Sequence, residues 1–169
     1  MFVGSLSCCH YLQTAVQLGL DLSKLEERLI NTHGAKMDIT RTGVILNTQN
    51  YRDCVLFYRD IFDLTVLFEK SEANFKLTCL TFGDSYLMIE TGGIAVPEGK
   101  TMAQGSLKLR FNVCNLEAAL IRTQKLRPEA KIIELPWGST INIFDPDGNR
   151  VGIRDEATFA KQLNGFASV

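Results

Sequence analysis

Apolar residues along the chain recur with two different periods, and the places where one period gives way to the other mark the elements. Val44, Ile45 and Leu46 make a short strand-like run. Behind Asn50, a helix-capping residue type, Tyr51, Val55, Tyr58 and Phe62 recur at helical spacing on one face. Three strand-like runs follow over residues 64 to 70, 75 to 82 and 86 to 91, with Gly83-Asp84 turning between the last two. A Gly/Pro-containing connection spans residues 92 to 105, and the same order then returns. A strand over 107 to 113 precedes the cap Asn115, a helix over 116 to 126, and strands near 131 to 136, 140 to 144 and 151 to 154. The two caps are 65 residues apart. The economical reading is a tandem repeat of two βαβββ modules, an α+β fold.

Residues 1 to 36 follow another pattern, with two helical stretches. In the second, Ser23 and Glu26 form a capping-box pair, and Leu22, Leu25, Leu29 and Ile30 form an apolar stripe that needs a partner surface. Three origins stay open: the stripe docks on the main domain, it docks on a second subunit, or Met37 is the natural start. The expected organisation is an N-terminal helical extension (1–36), a domain over 37–156 with modules 38–92 and 106–156, and a C-terminal tail (157–169).

Composition narrows the function classes. With 46% hydrophobic residues, 22% charged and a net charge of −1, the chain is an ordinary globular one with no general attraction to phosphate backbones or anionic lipid. Nucleic acid and membrane are therefore not expected partners. No Lys or Arg precedes an apolar stretch in the first 22 residues, and no run approaches the roughly 18 apolar residues of a membrane span. Five cysteines form no C-x-x-C pair, which fits reduced thiols and a cytoplasmic protein. Cys54, Cys79 and Cys114 sit in apolar surroundings and read as core. Both histidines, His10 and His33, precede the repeat. No nucleophile triad, phosphate loop or dinucleotide fingerprint is present.

Two motifs are diagnostic together with the element order. The helix stretch Asn50-Tyr51-Arg52-Asp53-Cys54-Val55-Leu56-Phe57-Tyr58-Arg59-Asp60 and the turn Phe144-Asp145-Pro146-Asp147-Gly148-Asn149 resemble the vicinal oxygen chelate superfamily, the glyoxalase, bleomycin-resistance and extradiol dioxygenase fold. The resemblance covers about residues 38 to 156 and implies a cup-shaped mixed β-sheet. Enzymes of that family bind a metal inside the cup through His, Glu or Gln on the first and fourth strands of each module. By motif those positions fall here at Gly43, Lys108, about Glu90, and Gly152. Only Glu90 suits a divalent ion, because Lys108 arrives as an ammonium and glycine has no side chain. The expectation is no metal, no cofactor and no catalytic residue of the family type.

Strand alternation carries those positions to their same-face neighbours. The expected ligand-binding residues are Asn47, Tyr86, Met88, Glu90, Lys108, Arg110, Asn142, Phe144 and Arg154, with Trp137 at the rim. Lys108 and Arg110 on one face demand either an internal partner, Glu90, or an anionic group of a ligand. The resemblance implies a non-catalytic protein that binds a small organic molecule, antibiotic-like or aromatic, as bleomycin-resistance-type members do. Its alternative is a metal-dependent lyase, isomerase or dioxygenase with an irregular site around Glu90. Further readings are a metal-free enzyme using Glu90 or Lys108, and an interaction module acting through residues 1–36. A homodimer is expected on resemblance alone.

Overall fold

A computed structural model describes residues 39 to 166, of which those from Arg41 belong to one compact unit. The two helical stretches of residues 1–36 lie outside the described residues. The first module runs β1 (Gly43–Thr48), α1 (Tyr51–Phe62), β2 (Val66–Glu72), β3 (Phe75–Phe82) and β4 (Ser85–Thr91). The second runs β5 (Lys108–Val113), α2 (Leu116–Gln124), β6 (Ile132–Leu135), β7 (Gly138–Phe144) and β8 (Arg150–Asp155), and α3 (Glu156–Phe166) follows.

Each module makes its own four-stranded mixed sheet, ordered β1-β4-β3-β2 and β5-β8-β7-β6, with β1/β4 and β5/β8 parallel and the other pairs antiparallel. The α+β class and the tandem repeat are thus both present. Two details depart from the sequence reading. β2 starts at Val66, two residues later than expected, and carries a register shift between Val66 and Phe68, and residues 156 to 166, expected as tail, form α3. The cue for α3 is Asp155, whose carboxylate accepts from the backbone N–H groups of Ala157 (3.1 Å) and Thr158 (3.0 Å).

Alternate positions of the two sheets point into one shared core. Leu46, Leu80, Leu87 and Ile89 meet Leu109, Ile141, Ile143, Val151 and Ile153 there, with Cys54, Phe57, Tyr58 and Ile61 of α1. Each such aliphatic side chain contributes about 1.5–3 kcal/mol by leaving water. The seam between modules is aromatic: Phe62 of α1 stacks on Phe111 of β5 with ring centroids 3.7 Å apart and planes at 11°, and Phe82 meets Phe111 edge-on at 5.2 Å.

Both ends of α1 are held by the second module. Asn50 is the N-cap residue but makes no side-chain cap, and its amide donates instead to the Pro146 carbonyl at 3.2 Å. The cap is Asp147, whose buried carboxylate accepts from the backbone N–H of Gln49 (2.7 Å) and of Asn50 (2.8 Å). At the other end α1 stops at Asp63 in the left-handed conformation (φ 53°), and Arg122 of α2 binds both the Asp63 carboxylate and the Asp60 carbonyl. That guanidinium holds the Asp63 carboxyl below its usual range.

The hairpin turn that carries Asp147 is shaped by its neighbours. Asp145 is buried and accepts from Tyr58 Oη (2.8 Å), the backbone N–H of Asp147 (2.9 Å) and both nitrogens of Asn149 (2.8 Å each). Gly148 sits at φ 79°, and a Cβ there would lie 2.1 Å from the Val96 carbonyl oxygen, so both conformation and space require glycine.

Cys54 and Cys79 are buried as expected, whereas Cys114, also read as core, is exposed. It lies in the connection between β5 and α2, where the chain leaves the sheet, and the buried Leu116 takes the inward position instead. Burial and the nearby Asp145 push the Cys54 thiol far above its ordinary value. Brief alkylation of the native protein followed by peptide mass mapping is accordingly expected to label Cys114 and to leave Cys54 unmodified until denaturant is added. Native-state labelling of Cys54 at a comparable rate would contradict this burial.

Candidate functional site

The face of each sheet that turns away from the shared core carries the predicted site residues. On the first sheet Gly43, Ile45 and Asn47 of β1 stand opposite Tyr86, Met88 and Glu90 of β4. Asn47 Nδ2 donates to Glu90 Oε2 at 3.2 Å, and the Tyr86 ring lies over Gly43, where a Cβ would meet Tyr86 Cζ at 2.2 Å. Ile45 is 52% exposed between them. Glycine at position 43 therefore makes room for the tyrosine ring.

On the second sheet Lys108, Arg110 and Asn112 of β5 stand opposite Arg150, Gly152 and Arg154 of β8, which in turn face Phe144, Asn142 and Thr140 of β7. Lys108 Nζ donates to Asn142 Oδ1 at 2.6 Å, and Arg110 donates to Thr140 Oγ1 at 3.1 Å. A Cβ on Gly152 would lie 2.9 Å from Lys108 Cε and 3.1 Å from Arg110 Cζ, so both basic side chains lie across bare backbone. Trp137 is flanked by the guanidinium carbons of Arg110 (5.6 Å) and Arg154 (4.9 Å). Arg154 also donates to the Trp137 carbonyl and to Gln162 Oε1 of α3, both at 2.7 Å. Phe144 packs on Gly99, in a loop tied to the Asp147 turn by Lys100 N–H to the Gly148 carbonyl (2.8 Å).

The ten predicted residues thus fall into two sets: Asn47, Tyr86, Met88 and Glu90 on the first sheet, and Lys108, Arg110, Trp137, Asn142, Phe144 and Arg154 on the second. Among the described residues no hydrogen bond or ion pair joins the two sets. The internal Lys108–Glu90 salt bridge, one of the alternatives above, is not formed: Glu90 accepts from Asn47 and Lys108 donates to Asn142, each on its own sheet. Strand parity missed Arg150, which continues the same face one step beyond the predicted start of β8 and binds the carbonyls of Gly105, Ser106 and Leu107. It also gave no sign of Gln162, which belongs to the unrecognised helix.

Surface cavities of about 400 Å³, beside Gln49, Arg52 and Lys76, and about 430 Å³, beside Phe62, Phe111 and Arg122, contain none of the predicted residues. Within one chain those residues line two open faces.

The family's metal positions can be tested against this geometry. Gly43 pairs with Tyr86 while Glu90 pairs with Asn47, which separates Gly43 from Glu90 by four residues, about 13 Å along the strands. Lys108 reaches across Gly152 with a positive charge. These residues do not fit a divalent ion at the family's place, and among the described residues no group of three or more His, Cys, Asp or Glu is arranged to hold one.

The electrostatics of the second face are one-sided. Burial, then the charges of Arg110 and Arg150, hold the Lys108 ammonium below its ordinary pKa. Burial and Arg154 act likewise on Arg110. None of the three ion pairs among the described residues, Arg59–Asp60, Lys70–Glu72 and Arg122–Asp63, involves this face.

No protein-family model and no curated protein matches the sequence. Solved structures do match. TnmS3, an antibiotic binding protein from Streptomyces sp. CB03234, is 20% identical with a TM-score of 0.52, over 71% of this chain and 98% of that one. A glyoxalase I mutant from Zea mays is 17% identical with a TM-score of 0.59, over 72% of this chain and 48% of that longer one. A mutant of the fosfomycin resistance protein FosX from Listeria monocytogenes is 14% identical with a TM-score of 0.53, over 70% of this chain and 93% of that one. At these identities the likeness is one of fold.

Proposed function

We propose that this chain, whose fold is that of the vicinal oxygen chelate superfamily, is a non-catalytic binding protein for a small aromatic organic molecule. The observation that carries the reading is Trp137, 38% exposed beside an open sheet face with the guanidinium carbons of Arg110 and Arg154 within 5.6 Å of its ring centroid, and Phe144 (40% exposed) on the same sheet. A rigid, half-exposed ring supported by cations offers a stacking surface. The residues at the family's metal positions favour binding over metal-assisted chemistry, and TnmS3 is a neighbour that binds an antibiotic.

The reading has one competitor, an enzyme of the same superfamily, since glyoxalase I shares the fold. Elemental analysis of protein purified without chelators separates them. Stoichiometric divalent metal that disappears in Glu90→Ala would replace the binding reading with the enzyme. Absence of metal, together with micromolar binding of planar aromatic compounds from a panel that includes antibiotics, is the expected result. No binding across the panel overturns the proposal.

Both sheet faces are open in one chain, which supports a homodimer that closes them. Native mass spectrometry is expected to give a dimer, and a monomer at all working concentrations would contradict this. Among the described residues no helix is long and apolar enough to cross a membrane. The free thiols of Cys54, Cys79 and Cys114 support a cytoplasmic location.

A further inference from the structure

We infer that the second sheet selects an anionic ligand: a planar aromatic molecule whose ring stacks at Trp137 and whose carboxylate or phosphate is held by Lys108 and Arg110. The inference rests on the binding reading and adds the charge of the ligand to it.

An ammonium has three N–H donors and a guanidinium five, none of which can accept. Among the described residues Lys108 makes a single hydrogen bond, to Asn142, and Arg110 a single one, to Thr140. Arg150 is anchored through one nitrogen to three backbone carbonyls and Arg154 through one nitrogen to Trp137 and Gln162, while the Nε of each is buried without a hydrogen-bond partner. All four cations thus keep unspent donors, but Lys108 and Arg110 are each tethered to one neighbouring side chain, whereas Arg150 and Arg154 are fixed to backbone carbonyls. Glu156 is the carboxylate hydrogen-bonded to this face, and it takes its bond from Asn112 at 2.8 Å, leaving the cations without it.

Four like charges on two adjacent parallel strands repel one another, and a fold gains nothing by assembling them without a counter-charge. A neutral or cationic ligand would leave that repulsion in place. An anion relieves it and gains charge-assisted bonds, two of them in parallel from the planar fork of Arg110. Gly152 is what permits the arrangement, because with no side chain there the stems of Lys108 and Arg110 lie flat and bring their heads toward one place. Trp137, in contact with Arg110, fixes the distance between the anionic group and the ring.

The chain has one tryptophan, so its fluorescence reports this face directly. The test titrates the full chain with four matched probes: 2-naphthoate, 2-naphthyl phosphate, neutral 2-naphthalenemethanol and cationic 2-naphthylmethylamine. The expected result is quenching by the two anions at concentrations at least about tenfold below those of the neutral and cationic probes, the size of one charge-assisted contact. The preference is expected to shrink as salt rises. Which anion binds more tightly tells a carboxylate ligand from a phosphate one.

In Lys108→Gln/Arg110→Gln the anion preference, read as the ratio of anionic to neutral probe affinity, is expected to vanish, and in Arg59→Gln, a charge removed from an exposed position on α1, it is expected to persist. Thermal melts verify folding; the double variant is expected to melt no lower than the parent, since mutual repulsion is removed. Equal binding of all four probes, or an anion preference unchanged in the double variant, overturns the anionic assignment and leaves the binding reading intact. Binding of the cationic probe alone reverses the assignment. Binding of none overturns the assignment, and the antibiotic-containing panel then decides the wider reading separately.

Discussion

Asp147→Ala is expected to lower the unfolding free energy by about 3–5 kcal/mol, the loss of two hydrogen bonds to a buried carboxylate at about 1.5–3 kcal/mol each. The carboxylate is fully buried and accepts from the backbone N–H groups of Gln49 and Asn50, almost one hundred residues earlier. Those donors start α1, where the helix dipole adds to the attraction for a negative charge. Alanine removes both bonds and gives neither donor another acceptor, since the Asn50 side chain makes no cap of its own. Against a usual total of about 5–15 kcal/mol, such a loss is a large fraction. Urea unfolding followed by circular dichroism measures it. Asp147→Asn, which keeps one acceptor oxygen, is expected to fall between parent and alanine. A loss under about 1 kcal/mol for alanine would mean that solvent reaches the helix start and the cap is dispensable.

The second large effect is at Tyr58. Its side chain is fully buried against Phe57, Phe62 and Phe111, with ring centroids at 5.1, 6.3 and 6.5 Å. Tyr58→Ala is expected to cost about 3–5 kcal/mol, typical of an aromatic truncation that leaves a cavity. Tyr58→Phe keeps the ring and removes only the donor to Asp145, for about 1–3 kcal/mol. The pH dependence separates the two contributions. Burial, and then Asp145, raise the Tyr58 phenol well above its ordinary 10. A group whose folded pKa is raised contributes stability that is complete below the unfolded value and declines as pH climbs past it. The gap between parent and Tyr58→Phe is therefore expected to be constant through neutral pH and to narrow above about pH 10. A gap that stays constant into strong alkali would contradict a buried, protonated phenol.

Much of the architecture is legible in the sequence because it depends on near neighbours in the chain. The periods of Tyr51, Val55, Tyr58 and Phe62, and of the strands around Leu80, Ile89 and Ile153, report which face is buried, and the repeat doubles the signal. Strand parity likewise places Lys108, Arg110, Asn142 and Arg154 on one face. Lateral and long-range pairings are not legible. Parity says which face a residue takes but not which sheet lies beside it, so it admits Glu90 as a partner for Lys108, which has Asn142 instead. Asn50 reads as a self-capping residue, yet its cap comes from Asp147, and nothing local announces an acceptor so far along the chain. Arg150 is lost to a strand boundary misplaced by one residue, the place where local propensity is weakest. The proposal of an anionic ligand rests on how each of the four cations is tethered, which only coordinates reveal.

The Asp147 cap also breaks the symmetry of the repeat. The equivalent helix α2 begins at Asn115, whose own Oδ1 accepts from the Ala118 N–H at 2.8 Å, and thus needs nothing from the first module at its start. Dependence runs one way: α1 borrows both its ends, from the turn at Asp147 and from Arg122, while the start of α2 is self-sufficient. If the chain were cut in the connection between the modules, the carboxyl-terminal half would keep its helix start and the amino-terminal half would lose both supports of α1. During synthesis the module made first therefore lacks both end contacts of α1 until the second module has been made.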